Sequence, residues 1–96
     1  MNRLEKEIET KLRKAVEVAG GKCLKWVCPG WSGVPDRLVL LPGGRIVFVE
    51  TKRPKGGVLS DLQKWWAKEL VRLGFKYGQV WDEDDLAIFK AMYLKK

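Results

Sequence analysis

The stretch from Gly33 to Lys52 leaves this chain few ways to fold. Arg37–Leu41 is a run of leucine and valine after an arginine, Arg45–Thr51 is an apolar run rich in β-branched residues, and Pro42-Gly43-Gly44 between them is a turn signal. The two runs should pair as an antiparallel hairpin. Centring the turn on Gly43 sets Leu38 opposite Phe48, Leu40 opposite Ile46 and Asp36 opposite Glu50. Facing Cβ atoms on such strands lie about 5 Å apart. Side-chain alternation then puts Lys52 on the face of Glu50. The rest of the hairpin is apolar on both faces, with Leu38, Leu40, Ile46 and Phe48 on one and Val39, Leu41, Val47 and Val49 on the other. A sheet of that kind needs helices above and below it.

Asp36 and Glu50 therefore come together at the outer end of the hairpin, with Lys52 close by. Two carboxylates so near each other repel unless positive charge lies between them. A divalent cation with hard oxygen ligands fits that gap, and Lys52 is placed to neutralise charge on a reacting group. A one-residue slip in register would send the two carboxylates to opposite faces. A plain Glu50–Lys52 ion pair is the alternative, and it leaves Asp36 unexplained. The chain has no His, so Ser-His, Cys-His and His-base catalysis are excluded. Cys23 and Cys28, five apart on a predicted strand, face opposite ways and form no zinc site of the usual ligand set. Any enzyme built on this chain must work with carboxylates, lysine and metal.

The 96 residues make one domain spanning 1–96, and 46% apolar content with five Trp argues for a folded core. A formal net charge of +7 favours a polyanionic partner. No apolar run approaches the about 20 residues of a membrane span. The first residues, Met-Asn-Arg-Leu-Glu-Lys-Glu, lack the apolar centre of a signal peptide, which predicts an intracellular protein.

Leu4, Ile8, Leu12, Ala15, Val16 and Ala19 form one stripe of a predicted helix that Gly20-Gly21 ends. Glu5 and Glu9 flank the stripe, and surface ion pairs are the ordinary fate of such residues. Lys22–Cys28 reads as a short interior strand, followed by the loop Pro29–Gly33, whose Trp31 either fills a gap in the core or stacks on a base. Beyond the hairpin, Arg53-Pro-Lys-Gly-Gly57 is a basic loop suited to a phosphodiester backbone through Arg53 and Lys55, or else a solvated connector. Ser60 and Gln63 form a capping box that starts a second helix, with Leu62, Trp66, Leu70 and Leu73 at core spacing and Gly74 at its end. Lys64 is a further candidate phosphate contact. Trp66 is expected inward and Trp65 on a flank, suited to core and subunit contact. Phe75–Trp81 reads as a last strand parallel to Arg45–Thr51. Asp82-Glu-Asp-Asp85 resembles a metal cluster, but first-turn charge on a final helix with Asp82 as N-cap explains it better.

Val34-Pro35-Asp36 followed by Glu50-Thr51-Lys52 resembles the signature of the PD-(D/E)xK nuclease superfamily. Gly33-Val-Pro-Asp36, the Val-Phe-Val-Glu-Thr-Lys run, Leu59-Ser-Asp-Leu-Gln63 and the helix ending in Gly20-Gly21 together look like a VRR-NUC domain, over about Glu5 to Trp81. That resemblance implies an α/β fold of the restriction-endonuclease-like type, a small mixed β-sheet flanked by helices in the order αβββαβ(α). It also implies that Asp36 and Glu50 hold Mg2+ or Mn2+ with the Thr51 carbonyl. An N-terminal glutamate completes the set: Glu9 fits best, and Glu5 is its rival. Lys52 would be catalytic, and Gln63 would face the site. Stand-alone VRR-NUC proteins of this size are similar to archaeal-type Holliday junction resolvases. The expected activity is metal-dependent endonucleolytic cleavage of branched DNA, such as a four-way junction, in the cytoplasm of a bacterial or phage-infected cell. Symmetric cutting of a junction requires two sites and hence a homodimer. The alternatives are a non-cleaving nucleic-acid-binding module and a nuclease for ordinary duplex DNA.

Overall fold

A computed structural model describes residues 3–52 and 58–94. Helix α1 (Arg3–Val18) leads to strand β1 (Lys22–Lys25), the hairpin β2 (Arg37–Leu41) and β3 (Arg45–Thr51), helix α2 (Asp61–Arg72), strand β4 (Lys76–Val80) and helix α3 (Glu83–Phe89), which widens into a π-type turn over Lys90–Leu94. The sheet order is β1-β2-β3-β4, antiparallel except for the parallel β3–β4 pair. It is the mixed sheet of the predicted order αβββαβ(α), with the terminal helix present.

The hairpin register is the expected one, with Leu38 opposite Phe48, Val39 opposite Val47 and Leu40 opposite Ile46. Two left-handed residues, Gly43 and Gly44 at φ +84° and +74°, close its turn. On one face Val39, Leu41, Val47 and Val49 meet Ile8, Leu12 and Val16 of α1, Val80 of β4, and Leu86 and Phe89 of α3 in a single core cluster. Fully burying each of these side chains contributes about 1.5–3 kcal/mol. Spacing at i, i+4 and i+8 gives α1 the apolar stripe it buries there. Its end is fixed by Gly20 at φ +89°, where the Gly20 N–H donates to the Glu17 carbonyl (3.0 Å) and the Gly21 N–H to that of Val16 (2.9 Å). That pair of bonds is the Schellman arrangement, and it satisfies carbonyls that the helix leaves open.

The other face differs from expectation. Helix α2 lies on it, and Trp26 and Phe75 pack against Phe48 at ring separations of 5.0 and 5.5 Å. Yet Ile46 remains 39% exposed and, of the apolar residues of α2, only Leu70 is buried. Leu62 and Leu73 sit largely in solvent because a helix of 12 residues cannot cover four strands. Strand β1 is shorter than predicted and forms the sheet edge, not its interior. Lysines at both of its ends blunt that edge against further pairing. Asp82 caps α3 as expected, its carboxylate accepting from the Asp85 N–H at 2.8 Å, so the acidic run belongs to a helix start.

Candidate active site

Asp36 stands immediately before β2, and its backbone carbonyl accepts from the Trp26 N–H at 2.8 Å. Its carboxylate reaches across to the end of β3. There Oδ1 accepts from the Thr51 backbone N–H at 2.8 Å and Oδ2 from the Thr51 hydroxyl at 2.5 Å. These bonds hold the carboxylate against the strand that carries Glu50. Glu50 is only 4% exposed, following Val47, Phe48 and Val49 into the core. Burial pushes its carboxyl up to about 8, and the adjacent negative charge of Asp36 adds to that, while Lys52 pulls the other way and Glu5 contributes further repulsion. Two oxygen-rich groups share one end of the sheet, and Lys52, half-buried, is the cation acting on Glu50.

The two N-terminal glutamates have different surroundings. Glu9 pairs with Arg37, whose side chain is 4% exposed under α1. Arg37 is the residue after Asp36, so alternation turns it to the opposite face, with Val39 and Leu41, where it needs a buried anion. Glu9 supplies that anion. Glu5, one turn earlier, is the α1 carboxylate whose charge acts on Glu50.

Gln63 completes the predicted capping box: its N–H donates to the Ser60 hydroxyl at 3.1 Å, and its Oε1 accepts from the Ser60 N–H at 2.8 Å. The carbonyl end of that amide is therefore held by the helix start. Lys64 projects into solvent on the same helix, while Arg53 and Lys55 lie outside the described residues. Gly33 fixes how closely this helix approaches the loop before Asp36. A Cβ there would sit 2.7 Å from Leu62 Cγ, and φ is +87°. Gly33→Ala should cost about 2 kcal/mol or more of stability, read as a lowered urea midpoint, because both the backbone and the helix must yield. A midpoint within error of wild type would show that α2 does not depend on this contact.

Sequence reasoning did not single out Tyr77 and Gln79 of β4. Gln79 is the register partner of Glu50 on the side away from Asp36, and its Nε2 donates to the Tyr77 hydroxyl at 3.3 Å. Burial raises the Tyr77 phenol, and the charges of Glu50 and Asp36 raise it further against the Gln79 hydrogen bond. The parallel β3–β4 register would have revealed this bank of the site. Among the described residues no group of three or more His, Cys, Asp or Glu side chains gathers at one point. None of the described helices is long and apolar enough to cross a membrane.

A buried glutamate beside a half-buried aspartate at the open end of a small mixed sheet, with a lysine two residues beyond the glutamate, is the arrangement expected of a nuclease-like domain. No protein-family model matches the chain. Over 50 residues it is 54% identical to "Putative nuclease p44" of Acyrthosiphon pisum secondary endosymbiont phage 1, a stretch covering 52% of this chain and 54% of that protein. The chain thus spans about half the length of the curated relative it matches. A solved structure described as "VRR_NUC domain" superposes with a TM-score of 0.89 at 26% identity, covering 96% of this chain and 99% of the other. In fold the chain is similar to a VRR-NUC domain over nearly its whole length, and its likeness to a nuclease-named phage protein points the same way.

Proposed function

We propose that this VRR-NUC domain is a metal-dependent endodeoxyribonuclease of the PD-(D/E)xK type that cuts branched DNA, four-way junctions foremost, as a homodimer in the cytoplasm of a bacterial or phage-infected cell. One observation carries the reading: Asp36 and Glu50 face the same small space, and Glu50 is buried with less positive charge around it than two ionised carboxylates need. The donor set fits Mg2+ or Mn2+, since Asp36, Glu50 and the Thr51 carbonyl offer hard oxygens, with Glu5 near enough for its charge to act on Glu50 and so to reach the cation through water. Glu9 is the weaker candidate because Arg37 already engages it. Remaining positions would fall to water and phosphate oxygens. The cation, when bound, supplies Lewis acidity toward the phosphate and acidifies a water.

The chain's own residues do the rest. Thr51 holds Asp36 in place through two hydrogen bonds, so the carboxylate is oriented before substrate arrives. Lys52 brings positive charge to the oxygen on which negative charge develops. Gln63, anchored by its Oε1, has its Nε2 left to orient Lys52 or a water. A net charge of +7 supports attraction to a polyanion. A two-fold dimer is the assembly that would place two such sites on the symmetric strands of a junction. The half-covered sheet face around Ile46 offers apolar surface for it.

The test is parallel incubation of labelled four-way junction, flap, linear duplex and single-stranded DNA with Mg2+, Mn2+ or EDTA. The expected result is symmetric nicking of the junction by wild type, none in EDTA, and a rate at least about 100-fold lower for Lys52→Ala. Wild type that binds the junction but cuts nothing would instead make the domain a binding module. Equal cutting of plain duplex would remove the preference for branches.

A further inference from the structure

Trp31, Trp65 and Trp66 form one aromatic cluster between the loop that leads to Asp36 and the first turns of α2. Trp66, on α2, is half-buried and tethered, its indole N–H donating to the Ser32 carbonyl at 3.0 Å. Trp31 meets it edge-on at 6.0 Å and 84°, and Trp65 at 5.1 Å and 88°. The two outer rings are thus braced against a fixed one. Even so, Trp31 is 62% exposed and Trp65 51%, so neither serves the core. Trp31 belongs to the loop that ends at Asp36, and the same loop packs Gly33 against Leu62 at the start of α2. The cluster is therefore joined to Asp36 by a five-residue step of chain that packs closely on the start of α2.

Its surroundings indicate what it takes. Lys64 and Lys68 flank Trp65 on α2, both exposed and neither in an ion pair among the described residues. Lysine is depleted from the centres of subunit interfaces, whereas unpaired cations beside exposed indoles suit a strand whose bases stack and whose phosphates need neutralising. A double helix hides its base faces, so such a platform is useful only where bases are unpaired. We infer that Trp31 and Trp65 form a stacking platform for unpaired bases of a DNA strand at or beside the cut, with Lys64 and Lys68 on its phosphates. This rests on the nuclease reading above and narrows its substrate class to DNA that exposes bases, as a junction centre or flap does.

The test is equilibrium binding in EDTA, where cutting is suppressed, of a labelled single-stranded oligonucleotide, the matching duplex, and the same strand carrying abasic sites. The proteins are wild type, Trp31→Ala, Trp65→Ala and Trp65→Tyr, with sedimentation alongside. Each alanine variant should bind the single strand about 5- to 100-fold more weakly, with duplex affinity unchanged. Trp65→Tyr should recover most of the loss. The abasic strand should bind wild type about as weakly as the intact strand binds the alanine variants. The inference is overturned if the variants bind the single strand like wild type, if duplex affinity falls equally, or if wild type does not bind the single strand or ignores the abasic sites. Weakening that tracks conversion of a dimer to monomers would make the cluster a subunit contact and overturn it too. The expected pattern in a protein that cuts nothing with Mg2+ would remove the nuclease reading and leave the platform. Cutting without the pattern would do the reverse.

Discussion

Glu50→Gln should stabilise the metal-free protein at pH 8 while abolishing cleavage. In the folded chain, burial and the charge of Asp36 hold the Glu50 carboxyl at about 8, against an ordinary 4.5. Between those values the folded state carries a proton that the unfolded state has lost. Folding is therefore coupled to proton uptake, and stability falls as pH rises through this window. Wild type without metal should lose about 2–4 kcal/mol between pH 5 and pH 8, a figure set below the full shift to allow for screening at the open end of the sheet. The glutamine variant keeps the shape without the titration, so its urea midpoint should not show that decline. Adding Mg2+ should return about 2.7 kcal/mol to wild type at a hundredfold excess over Kd and nothing to the variant. A wild-type midpoint that stays level from pH 5 to pH 8 would contradict the account of Glu50 as a compressed, partly protonated carboxylate.

The second large effect concerns a residue away from the substrate. Arg37→Ala should cost about 3–5 kcal/mol, because it leaves the mostly buried Glu9 carboxylate of α1 with no counter-charge. Replacing both partners with Met should cost much less, since the pair can be exchanged for apolar volume of similar size. Chemical denaturation of the two single variants and the double variant separates the contributions. If Arg37→Ala and the double variant were equally destabilised, packing by the Arg37 stem would matter and the ion pair would not. The cycle also bears on cleavage. Glu9→Ala should lower activity only as far as it loosens α1, whereas Glu5→Ala should weaken the metal response directly.

Much of the site was legible because a short turn specified it. Once Pro42-Gly43-Gly44 fixes the register, side-chain alternation brings Asp36 and Glu50 together with no further information, and the structure carries that register through β2 and β3. What separates the surroundings of Glu5 from those of Glu9 is Arg37. Its position, two residues before Val39 on the same face, contained the clue that it would be buried and would need an acid from the helix above. Trp31 was harder, because a loop has no periodicity to say which way a side chain faces. Of its two readings, the core filler is the one that its 62% exposure removes. The α2 stripe misled for another: helical spacing identifies a face that can be buried, and four strands under one short helix leave part of that face without a partner. Tyr77 and Gln79 needed the β3–β4 pairing, which depends on a crossover whose exact register no local signal specifies.

The two bonds from Thr51 to Asp36 have a consequence for how the molecule breathes. At the end of β3 a side chain occupies the position where a neighbouring backbone carbonyl would ordinarily receive the Thr51 amide. The terminal link of the β2–β3 pairing is thus made by the same carboxylate that faces Glu50. Fraying at that strand end and disassembly of the site are one event, and the exchange rate of a single amide hydrogen, that of Thr51, reports how often it happens.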